Sequence, residues 1–136
     1  MLKIAFLLSA VALCGLAALL PGGYTEVEVD NESVVLASRE GARALSQKMN
    51  SKYHHTLIKV TKAEKQVVAG LNFRMDIVVG ETNCKKAEVS YDKLDNCEFL
   101  DGPTTYKKCQ VIVFQDLVQK HHLTYSGCIA ISKKDI

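Results

Sequence analysis

The chain has 136 residues, enough for one domain and too few for two of ordinary size. It carries 17 Lys and Arg residues against 15 Asp and Glu residues, a formal net charge of +2. A charge this close to neutral argues against nucleic acid or an anionic membrane as the main partner.

The N-terminal segment is predicted to be a secretory signal peptide. Lys3 gives a short basic start, and residues 4–20 are apolar and uncharged up to Pro21. The apolar stretch is short for a membrane span, so a signal anchor is the minor alternative. We expect residues 1–17 to be removed, with cleavage after Cys14 or after Ala17. That leaves a single secreted, extracellular domain over residues 18–136 with no membrane attachment.

The mature N-terminus is predicted to be a flexible hinge. The paired glycines Gly22 and Gly23 follow Leu20 and Pro21 and precede any periodic segment. An ordinary frayed terminus is the alternative interpretation. Further on, Asn31 begins an Asn-Glu-Ser sequon, which makes it a candidate for N-glycosylation in a secreted protein.

Residues 33–50 are predicted to form the one helix of the domain. Five residues recur at helical spacing and predict the buried face: Val35, Ser38, Ala42, Leu45 and Met49. Asn31 is the predicted N-cap. Gly41 costs the helix about 1 kcal/mol relative to alanine, which suggests that it permits a strand to pack closely.

Residues 66–70 lie between two predicted strands, at 53–65 and 71–79. The second strand alternates apolar and polar residues, as a half-buried strand does. The segment between them reads Gln66, Val67, Val68, Ala69, Gly70, where Gly70 can supply a positive φ. An apolar hairpin tip is costly to leave in water, so it indicates a binding partner. The alternative is that the two valines simply belong to a strand.

Two more strands are predicted in the last third of the chain, at residues 106–114 and 123–131. Between them lies a second hairpin tip that includes Asp116 and Leu117. One helix followed by antiparallel strands is an α+β layout.

Four cysteines remain after loss of Cys14 with the signal peptide: Cys84, Cys97, Cys109 and Cys128. An even number in a small secreted chain predicts two disulfides, and three pairings remain open.

No constellation of residues predicts an enzyme, a metal site or a cofactor. The cysteines are better used in disulfides than as nucleophiles. Two histidine pairs, at 54–55 and 121–122, could each offer at most one ligand, because neighbours in a strand point to opposite faces. We expect these histidines on the surface.

The glycine pair, the segment at 66–70, the second tip and the four cysteines together resemble the secreted type 2 cystatins, and in particular tick salivary cystatins. These are reversible competitive inhibitors of papain-like cysteine proteases. The resemblance implies a cystatin-like fold, with one long helix packed on a curved four- to five-stranded antiparallel sheet. It also implies the sequential disulfides Cys84–Cys97 and Cys109–Cys128.

The resemblance further implies a three-part wedge that enters the protease cleft and is not cut. Its N-terminal part is Leu20, Pro21, Gly22 and Gly23; its middle part is Gln66, Val67, Val68, Ala69 and Gly70; its last part is Asp116 and Leu117. The family usually has Pro-Trp at the last part, and this chain has no Trp. We therefore expect cathepsins L and S as partners and weaker binding to cathepsin B. The legumain-binding turn of some relatives is absent, since this stretch reads Asn50, Ser51, Lys52.

Two further expectations concern assembly and function. The chain should be a monomer, with an inactive domain-swapped dimer as a second state formed by opening the hairpin at residues 66–70. The alternative function is a secreted cystatin-fold module that acts on another receptor and inhibits proteases weakly or not at all.

Overall fold

The structure is a computed structural model that describes residues 23–136. In this part of the chain a single α-helix packs on one antiparallel sheet, whose strands lie in the order β1 to β5. The elements are β1 (Thr25–Glu26), α1 (Glu32–Lys48), β2 (Tyr53–Val68), β3 (Gly70–Lys85), β4 (Tyr106–Gln115) and β5 (His121–Ile131). The predicted α+β fold, one helix on a five-stranded antiparallel sheet, is confirmed.

Helix α1 begins at its predicted cap. The side-chain Oδ1 of Asn31 accepts a hydrogen bond from the backbone N of Ser33 at 2.9 Å, which satisfies one of the unpaired donors of the first turn. The predicted Ser38, Ala42 and Leu45 are buried, but at the N-terminal end of the face Val34 is fully buried and the predicted Val35 is only half-buried. The buried residues are Val34, Ala37, Ser38, Gly41, Ala42, Leu45 and Ser46. Two adjacent valines fit either stripe, and the small residues Ala37 and Ser46 decided which stripe meets the sheet.

Gly41 permits the close approach of helix and sheet that its position predicted. A Cβ at Gly41 would lie 2.7 Å from the Cγ2 of Val113 in β4. Real Cβ atoms do not come this close to a neighbour, so glycine sets the distance between α1 and β4.

The core lies between α1 and the alternating residues of β3 and β4. Phe73, Met75 and Ile77 are buried on the helix side of β3, as the alternation predicted, and Val111 and Val113 are buried in β4. The intervening polar residues of β3 therefore lie on the opposite face of the sheet.

Two disulfides join neighbouring cysteines within the described residues. Cys84 pairs with Cys97, and Cys109 pairs with Cys128. Cys109 and Cys128 are also direct partners in the β4–β5 ladder. Of the three pairings left open by the residues alone, the structure therefore has the sequential one.

The expectation that the histidines lie on the surface is wrong for His54 and His55. Their exposed fractions are 6% and 2%. The register of β2 against β3 shifts between Tyr53 and His55, and the segment at residues 86–105 covers the outer face of the sheet there. His54 Nε2 contacts the carbonyl oxygen of Val89 from that segment. His54 is buried because its ring faces this cover. His55 is buried because its ring faces the helix side.

Residues 23–136 contain neither a candidate membrane-spanning helix nor a candidate metal site. No helix in this part of the chain is long and apolar enough to cross a membrane. Likewise, no group of three or more His, Cys, Asp or Glu side chains is placed to hold a metal ion.

Candidate functional site

Two hairpin tips lie side by side at one end of the sheet. The β2–β3 turn is tight, with Val68 paired to Gly70 across Ala69. The β4–β5 turn occupies residues 116–120, between the paired residues Gln115 and His121. Because Leu71 in β3 pairs with Gln115 in β4, both turns project from the same end of the sheet.

The first tip presents apolar side chains to solvent. Val67 is 63% exposed, Ala69 is exposed, and Val68 and Gln66 are half-buried. Both valines belong to β2, as the alternative interpretation expects, and Val68 borders the turn at Ala69. Asn72 Nδ2 donates to the side-chain oxygen of Gln66 at 3.3 Å across the hairpin.

Gly70 joins the two tips in space. Its φ is +120°, a conformation that L side chains rarely adopt. A Cβ there would lie 2.5 Å from the backbone oxygen of Gln115 and 2.8 Å from Cε2 of Phe114. The first tip can therefore lie this close to β4 only with glycine at position 70.

The second tip is held together by Asp116. Its Oδ1 accepts hydrogen bonds from the backbone N of Val118 at 3.0 Å and of Lys120 at 2.9 Å. Its Oδ2 lies 2.9 Å from Nε2 of His122. The hydrogen bond from His122, followed by that from the Lys120 backbone, lowers the pKa of Asp116 below its usual range. Asp116 is thus a support of the turn.

Leu117 and Val118 are the apolar side chains that the second tip exposes, at 80% and 73%. Leu117 belongs to the predicted wedge, whereas Val118 is not among the predicted site residues. The available signal was a pair of adjacent aliphatic residues at a hairpin tip, where polar residues are usual. The tip has an aliphatic pair where an aromatic anchor would be expected in the family.

The N-terminal segment is directed toward the same end. Leu20, Pro21 and Gly22 lie outside the described residues, and Gly23 is the first described residue. Thr25 pairs with Lys65 and Glu26 with Glu64 in an antiparallel ladder. In this register, following the chain back from Glu26 to Thr25 moves along β2 from Glu64 to Lys65, which is the direction of the first tip.

Residues 22–117 match the family model described as the cystatin domain. The chain belongs to the cystatin family. This cystatin is 39% identical over 95 residues to L-cystatin of Tachypleus tridentatus, an alignment that covers 70% of this chain and 71% of that one. It is 32% identical over 111 residues to Cystatin-1 of Chilobrachys guangxiensis, covering 81% and 82%.

Solved structures share the fold at lower identity. The salivary cystatin of the soft tick Ornithodoros moubata superposes with a TM-score of 0.67 at 22% identity, covering 81% of this chain and 99% of that one. Dimeric human cystatin F gives a TM-score of 0.71 at 22% identity, covering 85% and 92%. Cystatins are inhibitors of papain-like cysteine proteases and not enzymes, so inhibition of that class is the general role of this cystatin.

Asn31 remains the candidate glycosylation site of this cystatin. It is exposed at the start of α1, where its side-chain oxygen caps the helix. It lies next to Glu32 at the beginning of the helix. Because Asn31 is exposed, its sequon is accessible.

Proposed function

We propose that this chain is a secreted, reversible, competitive inhibitor of cathepsin L- and S-type proteases. The observation that carries the proposal is the alignment of two exposed apolar hairpin tips at one end of the sheet. The described start of the chain, residues 23–26, runs toward the same end, which supports the three-part wedge expected from the family. The two disulfides fit the oxidising compartment that a secreted inhibitor enters.

The wedge would block the active-site cleft by burying apolar surface. The first tip would occupy the middle of the cleft, the segment from Leu20 to Gly23 the non-primed side, and the second tip the primed side. No bond is cut, because the turn at Ala69 does not offer a substrate carbonyl to the protease thiolate. Tips held by tight turns lose little freedom on binding, which favours affinity.

Target preference should follow from the second tip. Leu117 and Val118 bury less surface than an indole and lack its hydrogen-bond donor, so they make a weaker anchor. Proteases that depend on primed-side contacts, such as cathepsin B, should bind less tightly than the open clefts of cathepsins L and S. Legumain inhibition is not expected.

The same feature favours a second candidate function. Because the aromatic anchor is replaced by Asp116 and Leu117, the chain could act as a secreted cystatin-fold module on a different receptor. This alternative predicts that substitutions in the wedge leave the biological effect intact.

Titration of cathepsin L with the recombinant protein tests the proposal. Val67→Asp places a charge on the first tip and should abolish inhibition. Ile129→Asp is the matched control, because Ile129 is also a strand residue and is 66% exposed. It pairs with Lys108, about 23 Å along β4 from Gln115 at 3.3 Å per residue. No inhibition by the unmodified protein at micromolar concentration, or equal losses in the two variants, would reject the proposal.

We further propose that the protein is an active monomer with an inactive swapped dimer as a second state. Opening the turn at Ala69 would merge β2 and β3 into one strand and remove the first tip. Size-exclusion chromatography after mild heating should then separate a dimer that does not inhibit. A fully inhibitory dimer would rule this mechanism out.

A further inference from the structure

Arg74 lies on the polar face of β3, opposite the side that packs on the helix. Its Nε and Nη2 donate to the two carboxylate oxygens of Glu64 in β2, each at 3.1 Å. Its guanidinium carbon lies 4.0 Å from the centroid of the Tyr24 ring. The guanidinium is thus held along its edge by a carboxylate and covered on its face by an aromatic ring, an arrangement suited to Arg and not to Lys.

Tyr24 belongs to the N-terminal segment and reaches across β2 to make this contact. Its side chain is half-buried, whereas the neighbouring Gly23 and Thr25 are exposed. The ladder that holds this segment is short, since β1 consists of Thr25–Glu26 alone. One more backbone bond, from Val27 N to Ala63 O at 3.0 Å, follows it. The ring contact is therefore the last fixed point before the glycine hinge.

We propose that Tyr24, Glu64 and Arg74 form a clamp that directs the N-terminal segment along the first hairpin tip, with Arg74 as a positioning residue for inhibition. The inference rests on the proposed function. Without the clamp, the residues before Gly23 would leave a two-residue strand in many directions. With it, the chain that precedes Gly23 would start from a Tyr24 ring held against Arg74, and less freedom would be lost on binding.

A general role in stability does not explain this arrangement. Both charged groups are partly exposed, at 35% for Arg74 and 20% for Glu64. Exposed ion pairs typically add only a small amount to folding stability, although bidentate geometry places a pair toward the upper end of that range. Their geometric effect on the attached Tyr24 does not depend on a large contribution to stability.

The test is a double-mutant cycle on the rate of dissociation from cathepsin L. Arg74→Met keeps the length of the side chain but loses the charge and the fork. We expect it to raise the dissociation rate about fivefold, which corresponds to the loss of one exposed cation–π contact and of the order that it imposes on the segment. The same change in a Leu20→Ala/Pro21→Ala background should have no further effect, because no anchoring side chains remain to be positioned. Tyr24→Leu should raise the dissociation rate to the same extent. Tyr24→Phe, which keeps the ring, should dissociate at the rate of the unmodified protein.

A second readout reports the clamp in the unbound protein. The Nε proton of Arg74 should show an upfield ring-current shift by NMR that disappears in Tyr24→Leu. Unfolded variants would be recognised by the loss of dispersed signals from the core.

The outcomes separate the clamp from the proposed function. Equal losses from Arg74→Met in both backgrounds, no loss in either, or a missing ring-current shift would overturn the clamp while the unmodified protein still inhibits. Failure of the unmodified protein to inhibit would overturn the proposed function, and the positioning role with it.

Discussion

Replacing Gly70 with alanine should destabilise the fold and separate the two tips. The φ of +120° is strained for any L side chain, at a cost of about 1–3 kcal/mol. The added Cβ would also lie 2.5 Å from the backbone oxygen of Gln115, which cannot move without shifting β4. Such overpacking costs about 1–3 kcal/mol, so we expect a total loss of about 2–6 kcal/mol. A domain of this size has about 5–15 kcal/mol of stability, so the variant should still fold.

Urea denaturation of the oxidised protein measures the change. With an m-value of about 1–3 kcal/mol/M, the midpoint should fall by about 1 M or more without a change in m. Gly102→Ala is the matched control, because a Cβ there meets only Oγ1 of Thr105 at 3.7 Å and the φ is not positive. Inhibition of cathepsin L by the folded Gly70→Ala protein should weaken by at least about tenfold, which corresponds to 1.4 kcal/mol.

A loss within about 0.5 kcal/mol of that of Gly102→Ala would refute the reasoning, because surface substitutions without strain fall in that range. A large loss of stability with unchanged inhibition would instead show that the spacing of the two tips does not matter for binding.

Three other predictions concern the helix, a buried imidazole and the second tip. Gly41→Ala should destabilise the protein by about 1–3 kcal/mol through its contact with Val113. In a Val113→Ala background the same change should stabilise the protein by up to about 1 kcal/mol, because the helix gains propensity. A loss of stability in both backgrounds would contradict the packing argument. Burial, reinforced by the charge of Lys107, lowers the pKa of His55 in the folded protein. As the pH falls, the imidazole is therefore protonated in the unfolded chain before it is protonated in the folded one. The free energy of unfolding should fall below about pH 6.5, by at most about 1.4 kcal/mol per pH unit. His55→Gln should remove this component of the slope in urea titrations at several pH values, and an unchanged slope would assign it to other groups. The pKa of Asp116 is lowered, so its stabilisation of the turn is present above the usual Asp range and lost as the pH falls through the lowered value. Protection of the second-tip amides, measured relative to their intrinsic exchange rates, should fall there. At neutral pH this protection should fall in Asp116→Ala and much less in Asp116→Asn, which keeps an oxygen acceptor.

Periodicity predicted the elements that are governed by one dominant pattern. The alternation through Phe73 and Met75 gave both the strand and its buried face, because this strand has one face on the helix and one in solvent. The helix was predicted within two residues, and its predicted face was right at Ser38, Ala42 and Leu45, whereas Val34 is buried in place of Val35. Propensity and period cannot separate two adjacent valines when the decision depends on how closely the sheet approaches.

The remaining features depend on contacts between residues distant in the sequence. His54 and His55 are buried by a register shift and by a segment about thirty to fifty residues further along the chain, and neither leaves a local signal. The support role of Asp116 depends on the conformation of its own turn. The contact of Arg74 with Tyr24 spans two strands, so the sequence offered only an Arg on the polar side of an alternating strand.

The two disulfides restrain the molecule unequally. Both lie C-terminal to Gly70, where one ties the end of β3 to the segment that follows it and the other ties β4 to β5. Among the described residues, the only covalent connection of α1 and β2 to these later strands is the peptide chain at Ala69. Reduction should therefore loosen the joint between β4 and β5 and the segment that follows β3, whereas α1 and β2 are held to β3 and β4 by pairing and core packing alone.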